Sequence, residues 1–117
     1  MKTSELTDPA LDWAVAKCNG HVDDETIIRR LEPDEEGWFI AYTTDWAQGG
    51  PIIEREEIGI KRRMPCMKGE EWEASGSPGA KGAGYSHAYG PTPLIAAMRC
   101  YVAACLGDEV DVPEELK

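Results

Sequence analysis

The sequence predicts an α+β fold in which a small antiparallel sheet of three to four strands packs with an N-terminal helix, a short middle helix and a long buried C-terminal helix. Apolar residues recur with the 3.6-residue period of a helix near both ends of the chain. The middle contains short aromatic, β-branched or alternating segments, which are typical of strands. The chain has the size of one domain, residues 1–117.

The first predicted helix begins at Thr7 or Asp8 and ends at Asn19-Gly20. One stripe of this helix is apolar, with residues spaced i, i+3, i+4 and i+7: Leu11, Ala14, Val15 and Cys18. Asp12 falls off that stripe. The pattern therefore indicates a helix that buries one face against a core.

A β-hairpin is predicted in the region that follows. Residues 26–31 are strand-like, and residues 38–42 are the best strand candidate in the chain because they are aromatic and β-branched. Residues 33–37 begin with Pro and end with Gly, so they are expected to form the turn between the two strands.

The short middle helix has two possible starts. Thr44 or Asp45 can accept a hydrogen bond from the free backbone N–H groups of a first helical turn. Alternatively, Gly50 caps the helix and Pro51 opens it, and the helix then ends near Glu57. The sequence leaves both starts open.

Two further strands are predicted over residues 58–63, which alternate, and over residues 70–74. Residues 75–90 contain five glycines and are predicted to form a mobile loop. We expect His87 to be a polar residue of this loop and not a catalytic group, because it has no plausible Ser or Cys partner nearby in the sequence.

The last helix is predicted to begin with Thr92 as its cap and to end at Gly107. Arg99 is its only charged residue, so we expect this helix to be central and buried. Residues 108–117 form an acidic tail. Three apolar residues of the tail could pack back onto the domain: Val110, Val112 and Leu116.

Composition limits the classes of partner. Twelve basic and 22 acidic residues give a net charge of −10, which disfavours direct binding to DNA, RNA or an anionic membrane. The same charge fits a partner protein with a basic surface. The N-terminus lacks the apolar region of a signal peptide, and no apolar run is long enough to span a membrane, so a cytoplasmic protein is expected.

The four cysteines are Cys18, Cys66, Cys100 and Cys105, and no pair has C-x-x-C spacing. We interpret them as buried thiols that take part in neither a disulfide nor a metal site. The histidines and cysteines show no metal-ligand spacing, and the Gly-rich region lacks the known nucleotide-binding motifs. No metal ion and no cofactor are therefore expected.

Two helix starts, residues 44–51 and 90–93, are rich in Gly, Pro and hydroxyl groups and could present free N–H groups to a phosphate or carboxylate. The candidate ligand-binding residues are Thr44, Asp45, Trp46, Gly49, Gly50, Thr92 and Arg99. Alternatively, the caps serve their own helices, and Arg99 pairs with Asp45 or another acid. The basic cluster of Arg55, Lys61, Arg62 and Arg63 is either a solvated strand face or an edge that attracts anions.

Four blocks of the sequence resemble the phage and prophage NinX family, a domain family of unknown function. The blocks are Leu6-Thr7 with 10–17 and Gly20, Thr44-Asp45-Trp46 with 49–54, 90–97 with Arg99, and 107–110 with Val112-Pro113. The family has no established activity. The resemblance implies a small accessory protein of a phage that resides in the cytoplasm of the host cell and is not an enzyme.

Three functions are compatible with this context. The first is a counter-defence protein that binds and sequesters a small anionic signal of nucleotide type at the helix starts. The alternative is an acidic module that blocks a host or phage protein that handles nucleic acid. An enzyme that degrades a small nucleotide ranks third, because no acid–base pair or metal site is evident. A homo-oligomer is expected, since the last helix has more apolar surface than one small sheet covers.

Overall fold

The computed structural model describes residues 1–20, 23–64, 68–76 and 85–117. Its helices are α1 (Asp8–Cys18), α2 (Asp24–Arg30), α3 (Trp46–Arg55) and α4 (Pro93–Leu106). Its strands are β1 (Gly59–Arg62), β2 (Trp72–Gly76) and β3 (Ser86–Gly90). Short 3₁₀ turns lie at Thr3–Glu5 and Glu114–Leu116. The predicted α+β fold is confirmed, with the C-terminal helix packed on an antiparallel sheet.

The three strands are antiparallel neighbours in the order β1-β2-β3. Ala74 at the centre of the sheet pairs with Ile60 on one side and with Ala88 on the other. Ala74 and Ala88 are both buried, and small side chains on this face let α4 approach closely. The predicted strands over 58–63 and 70–74 are therefore confirmed as β1 and β2.

Helix α4 is the centre of the core, because it packs against the sheet, against α1 and against α3. Thr92 caps it: the Thr92 hydroxyl accepts a hydrogen bond from the Ile95 backbone N–H at 3.1 Å. Its buried face includes Met98 and Val102, which join Leu11 and other residues of α1 in one apolar cluster. The predicted first and last helices are confirmed.

The predicted strand over 26–31 is wrong, because this segment belongs to helix α2. The Asp23 side chain caps α2 and accepts hydrogen bonds from the Glu25 backbone N–H at 3.1 Å and the Thr26 hydroxyl at 2.7 Å. Ile27 is the only residue of α2 that is buried. One local cap and one anchoring side chain therefore outweigh the β-propensity of two adjacent isoleucines.

The predicted strand over 38–42 is also wrong, so there is no hairpin in this region. The side chain of Gln48 takes the place of a neighbouring strand: its Oε1 accepts from the Ala41 N–H at 2.9 Å, and its Nε2 donates to the Phe39 carbonyl at 2.9 Å. The Ile40 N–H donates to the Arg30 carbonyl at 2.8 Å. The turn over 33–37 is confirmed, and Gly37 closes it with a φ of 86°.

The middle helix uses the first of its two possible starts. The Asp45 side chain caps α3 and accepts a hydrogen bond from the Ala47 N–H at 2.9 Å. Pro51 lies inside the helix, so a start at Gly50-Pro51 is wrong. The Gln48 side chain also favours the earlier start, since it ties the first turn of α3 to the segment before it.

The prediction of a loop over 75–90 is wrong at both of its ends. Strand β2 continues to Gly76, and Ser86–Gly90 forms β3, in which His87 is a strand residue. Residues 77–84 lie outside the described residues. Both ends of the predicted loop therefore belong to strands of the sheet.

The two termini pair with each other next to α4. The Met1 ammonium donates to the Val110 carbonyl at 2.9 Å, and the Thr3 N–H donates to the Asp108 carbonyl at 2.8 Å. Val110 and Val112 are buried, as the sequence predicts for the tail. In the part of the chain that the structure describes, no helix has the length and apolarity needed to cross a membrane.

Candidate functional site

A cavity of about 560 Å³ opens between the N-terminal segment, β3 and α4. We call it the Arg99 cavity, because Arg99 of α4 lines it. Other lining residues come from distant parts of the sequence: Lys2, Glu5, Glu70, Tyr89 and Asp108. The volume falls in the range of natural small-molecule sites.

Arg99 is 7% exposed, although it carries a guanidinium group. Its Nε donates to the Leu6 carbonyl at 3.0 Å, and its Nη1 donates to the Tyr89 carbonyl at 2.9 Å. Among the described residues, no carboxylate forms an ion pair with Arg99. Burial lowers the pKa of Arg99, and the nearby charge of Glu70 opposes that shift. Arg99 therefore contributes a buried positive charge whose hydrogen-bond partners among the described residues are backbone carbonyls.

Four carboxylates also line the Arg99 cavity, and we call them the acidic rim: Glu5, Glu70, Asp108 and Glu109. Carboxylates accept hydrogen bonds and repel anions. The combination of one buried cation and the acidic rim suits a ligand with a single anionic group and several N–H donors. It is a poor match for a polyphosphate.

The aromatic wall of the cavity is held in place by neighbouring charges. The guanidinium carbon of Arg63 lies 4.1 Å from the centre of the Tyr89 ring, and Arg63 Nη1 lies 3.0 Å from Glu70 Oε2. The His87 ring meets Tyr89 edge to face at 4.7 Å, and its Nε2 lies 2.8 Å from Glu73 Oε2. His87 thus has a structural partner in β2.

The residues predicted to bind a ligand do not all line the Arg99 cavity. Of the seven, only Arg99 lines the cavity. Asp45 and Thr92 cap their own helices. Gly49 is buried, and Trp46 is 53% exposed. The binding role of the two helix starts, including Thr44 and Gly50, stays a prediction.

The basic cluster is engaged by neighbouring side chains. Lys61 pairs with Glu73 at 3.1 Å, and Arg62 lies over the Trp72 ring at 5.7 Å. Arg55 Nε lies 2.6 Å from Glu56 Oε2. These contacts favour a solvated strand face over an edge that attracts anions.

Most residues of the cavity wall cannot be identified from the sequence. Lys2, Glu70 and Asp108 are ordinary surface types in the sequence, and only the pairing of the termini and the position of β3 bring them near Arg99. The sequence contains one local indication of this site, which is a single charged residue on the otherwise uncharged helix α4. That signal identified Arg99.

Asp12 is a buried carboxylate that the sequence placed off the apolar stripe of α1. It is 8% exposed, and its Oδ1 accepts a hydrogen bond from the Thr43 N–H at 2.9 Å. Burial raises the pKa of Asp12 to about 6, an effect that the hydrogen bonds from Thr43 partly oppose. Asp12 therefore positions the turn that precedes α3.

The buried-thiol interpretation holds for Cys100, whereas Cys18 is half-buried and Cys105 is exposed, which corrects the expectation for Cys105. Cys66 lies outside the described residues. In the described ranges, no group of three or more His, Cys, Asp or Glu side chains is arranged to hold a metal ion.

Replacement of Thr92 by alanine tests whether this residue serves its helix or a ligand. Because the Thr92 hydroxyl caps α4, we expect Thr92→Ala to lower the free energy of unfolding by about 1 kcal/mol, whereas Thr92→Ser keeps the cap. Urea unfolding measures both variants. Equal stability of Thr92→Ala and the unmodified protein would contradict the capping role.

Comparison with known families identifies a matching family. The family model described as "Bacteriophage P22, NinX" matches residues 2–104 of the chain. The match includes α1, α3, the sheet and nearly all of α4. A search of curated proteins finds no match.

Proposed function

This chain belongs to the bacteriophage P22 NinX family, and from that premise we propose that it is a non-enzymatic accessory protein that binds and sequesters a small anionic ligand of nucleotide type. The proposed site is the Arg99 cavity. The observation that carries the proposal is the buried guanidinium of Arg99, which has two carbonyl partners and no carboxylate within ion-pair distance among the described residues. We propose further that binding removes a host defence signal from the cytoplasm.

The burial of the Arg99 charge supports this proposal. Removing a guanidinium from water is unfavourable unless an opposite charge or strong hydrogen bonds compensate for the lost hydration. The carbonyls of Leu6 and Tyr89 compensate in part and leave Nη2 without a hydrogen bond to a described residue. A phosphate or carboxylate in the cavity would complete the set, because guanidinium binds such groups in a fork.

The acidic rim narrows the class of ligand. A triphosphate would bring several negative charges close to Glu5, Glu70 and Asp108. A phosphodiester carries one negative charge for each phosphate. The N–H groups of a nucleobase can donate hydrogen bonds to the carboxylates of the acidic rim. We therefore expect cyclic nucleotides to bind more tightly than nucleoside triphosphates.

The test is a thermal-shift measurement with cyclic and linear nucleotides. A ligand at ~100 times its dissociation constant adds about 2.7 kcal/mol, which shifts the melting temperature of a domain of this size by several degrees. We expect Arg99→Lys to abolish most of the shift, because lysine keeps the charge but loses the fork. Ala103→Leu should have the same effect by filling the cavity that Ala103 lines.

Two control variants complete this experiment. Arg29→Lys changes an exposed arginine that pairs only weakly with Glu25, so the nucleotide shift should persist. Glu109→Gln removes one charge of the acidic rim and should increase the shift. Absence of a shift with every nucleotide, or a shift unchanged by both Arg99→Lys and Ala103→Leu, would refute the proposal. Recovery of a chemically altered ligand would instead favour the nucleotide-degrading enzyme.

A second candidate function rests on exposed aromatic residues. Trp38, Phe39 and Trp46 are 48%, 40% and 53% exposed, and Gln48 ties the segment of the first two to the start of α3. Buried aromatic anchors are frequent at the centres of protein interfaces. With a net charge of −10, this surface fits a basic region of a host or phage protein that handles nucleic acid.

Capture of a partner from host lysate distinguishes this second function. We expect capture to weaken with salt, to persist in Arg99→Lys and to disappear in a Trp38→Ala, Trp46→Ala double variant. Tyr85→Ala is the matched control, because Tyr85 is an exposed aromatic residue at the end of the sheet. Capture that the tryptophan variant leaves intact would rule out this surface.

We also propose a homo-oligomer. The apolar surface of α4, which suggests this state in the sequence, is largely covered in the folded chain. Eight residues of α4 are already buried within the chain, and Leu106 is an exposed large apolar residue of this helix. Sedimentation of the purified protein would test this state directly.

A further inference from the structure

Helices α1 and α4 bring two cysteines together at their C-terminal ends. Cys18 is the last residue of α1, and Cys105 lies in the last turn of α4. The two helices pack against each other, and the interaction with Cys105 raises the pKa of the Cys18 thiol, so the two side chains are neighbours. Neither cysteine takes part in a disulfide bond.

A separate set of contacts fixes the distance between the same two helix ends. Arg55 Nη2 donates to Asn19 Oδ1 at 3.0 Å and to the Tyr101 hydroxyl at 3.2 Å. Asn19 follows Cys18 directly, and Tyr101 precedes Cys105 by one helical turn. Arg55 therefore holds together the two chain segments that carry the thiols.

The two sulfurs differ in access to solvent. Cys105 is exposed and Cys18 is half-buried. The interaction with Cys105 and burial both raise the pKa of the Cys18 thiol, and Cys18 is also the less accessible of the two sulfurs. A reagent from solution should reach Cys105 first.

We propose that Cys18 and Cys105 form a redox-modification site that reacts with a low-molecular-weight disulfide, such as oxidised glutathione, to give an intramolecular disulfide between α1 and α4. This inference is independent of the Arg99 cavity. It assigns a role to the thiols that packing alone does not explain, because cysteine is most often a buried residue and Cys105 is exposed.

The reaction proceeds by two exchanges. The Cys105 thiolate attacks one sulfur of oxidised glutathione, forms a mixed disulfide and releases the first glutathione thiolate. The Cys18 sulfur then attacks the Cys105 sulfur, and the second glutathione leaves. The protons of the two protein thiols end on the two glutathione molecules. The protein is oxidised by two electrons, and glutathione disulfide is reduced to two thiols.

Cys100 gives the contrast within the same helix. It is buried, its thiol donates to the Ser86 carbonyl at 3.6 Å, and its own carbonyl accepts from the Ser86 hydroxyl at 2.9 Å. Cys100 thus contacts strand β3 of the sheet. We expect it to remain reduced under conditions that oxidise the pair.

The test is incubation of the full chain with oxidised glutathione, followed by thiol titration and peptide mapping. The chain has four cysteines, and we expect two thiols to be lost with a linked peptide pair that contains Cys18 and Cys105. The melting temperature should rise by roughly 10 °C, because the link closes a long loop, and a reducing agent should reverse the rise.

Single variants define the mechanism. Cys18→Ser should stop at the mixed disulfide on Cys105, with one glutathione per chain and no rise in melting temperature. Cys105→Ser should resist oxidation at Cys18. Cys66→Ser is the control and should still form the link. Retention of all four thiols, a stable glutathione adduct in the unmodified protein, or a link that involves Cys66 or Cys100 would overturn the proposal.

Discussion

Replacement of Gly49 by alanine is expected to lower the free energy of unfolding by about 3 kcal/mol. Gly49 lies in α3 where this helix crosses the start of α4. A Cβ at this position would overlap the Tyr42 carbonyl oxygen and would lie 2.6 Å from Leu94 Cδ2. Because the Tyr42 contact is to backbone, the helix as a whole must move to relieve it. A loss of this size corresponds to roughly 10 °C in melting temperature.

Gly50 is the matched control, because it is the next residue of the same helix. A Cβ there would meet only Trp46 Cε3 at 3.8 Å, which is ordinary van der Waals contact. Gly50→Ala should therefore raise stability by up to about 1 kcal/mol through its higher helix propensity. Urea unfolding of both variants measures the difference. Equal effects of the two substitutions would contradict the packing role of Gly49.

The Gly49→Ala and Gly50→Ala variants also distinguish two interpretations of the start of α3. The sequence suggests Gly49 and Gly50 as places where a ligand approaches the backbone. If packing explains Gly49, the loss of stability appears without any ligand, and Gly50→Ala leaves nucleotide binding unchanged. If Gly50→Ala instead abolishes a nucleotide shift while the protein stays folded, the ligand lies at the start of α3 and not in the Arg99 cavity.

The elements that the sequence predicts correctly are those with local signals. Helix α4 has its cap at Thr92, its end at Gly107 and an apolar surface between them. Strand β1 follows from simple alternation. In both cases, the residues that decide the structure lie within the element or next to it, and no distant contact changes the outcome.

The errors occur where a side chain replaces a backbone partner. Asp23 starts a helix at a segment that has the β-branched residues of a strand. Gln48 satisfies the backbone of Phe39 and Ala41 and makes a neighbouring strand unnecessary. The residues of the candidate site are also difficult to predict, because they depend on contacts between distant parts of the chain. Arg99 stands out in the sequence, but the residues around it become neighbours only when the termini pair.

Replacement of Asp12 by asparagine is expected to stabilise the protein at neutral pH by up to about 3 kcal/mol and to have little effect in acid. The pKa of Asp12 rises from 3.8 to about 6 on folding, mainly through burial. Between these two values, the folded state holds a proton that the unfolded state has lost. The contribution of Asp12 to stability is therefore fully present below about pH 4 and falls as pH rises toward 6.

Asparagine removes this dependence because its side-chain oxygen can still accept the hydrogen bond from the Thr43 N–H, and it carries no charge to bury. Urea unfolding across this pH range should give a difference between Asp12→Asn and the unmodified protein that grows from near zero to a plateau above the raised pKa. Asp12→Ala is the control and should destabilise at every pH, since the Thr43 N–H then lacks an acceptor. A constant difference, or one that favours the unmodified protein as pH rises, would mean that the fold stabilises the ionised carboxylate. The turn before α3 would then depend on a negative charge, whereas the present contacts indicate that it depends on an acceptor.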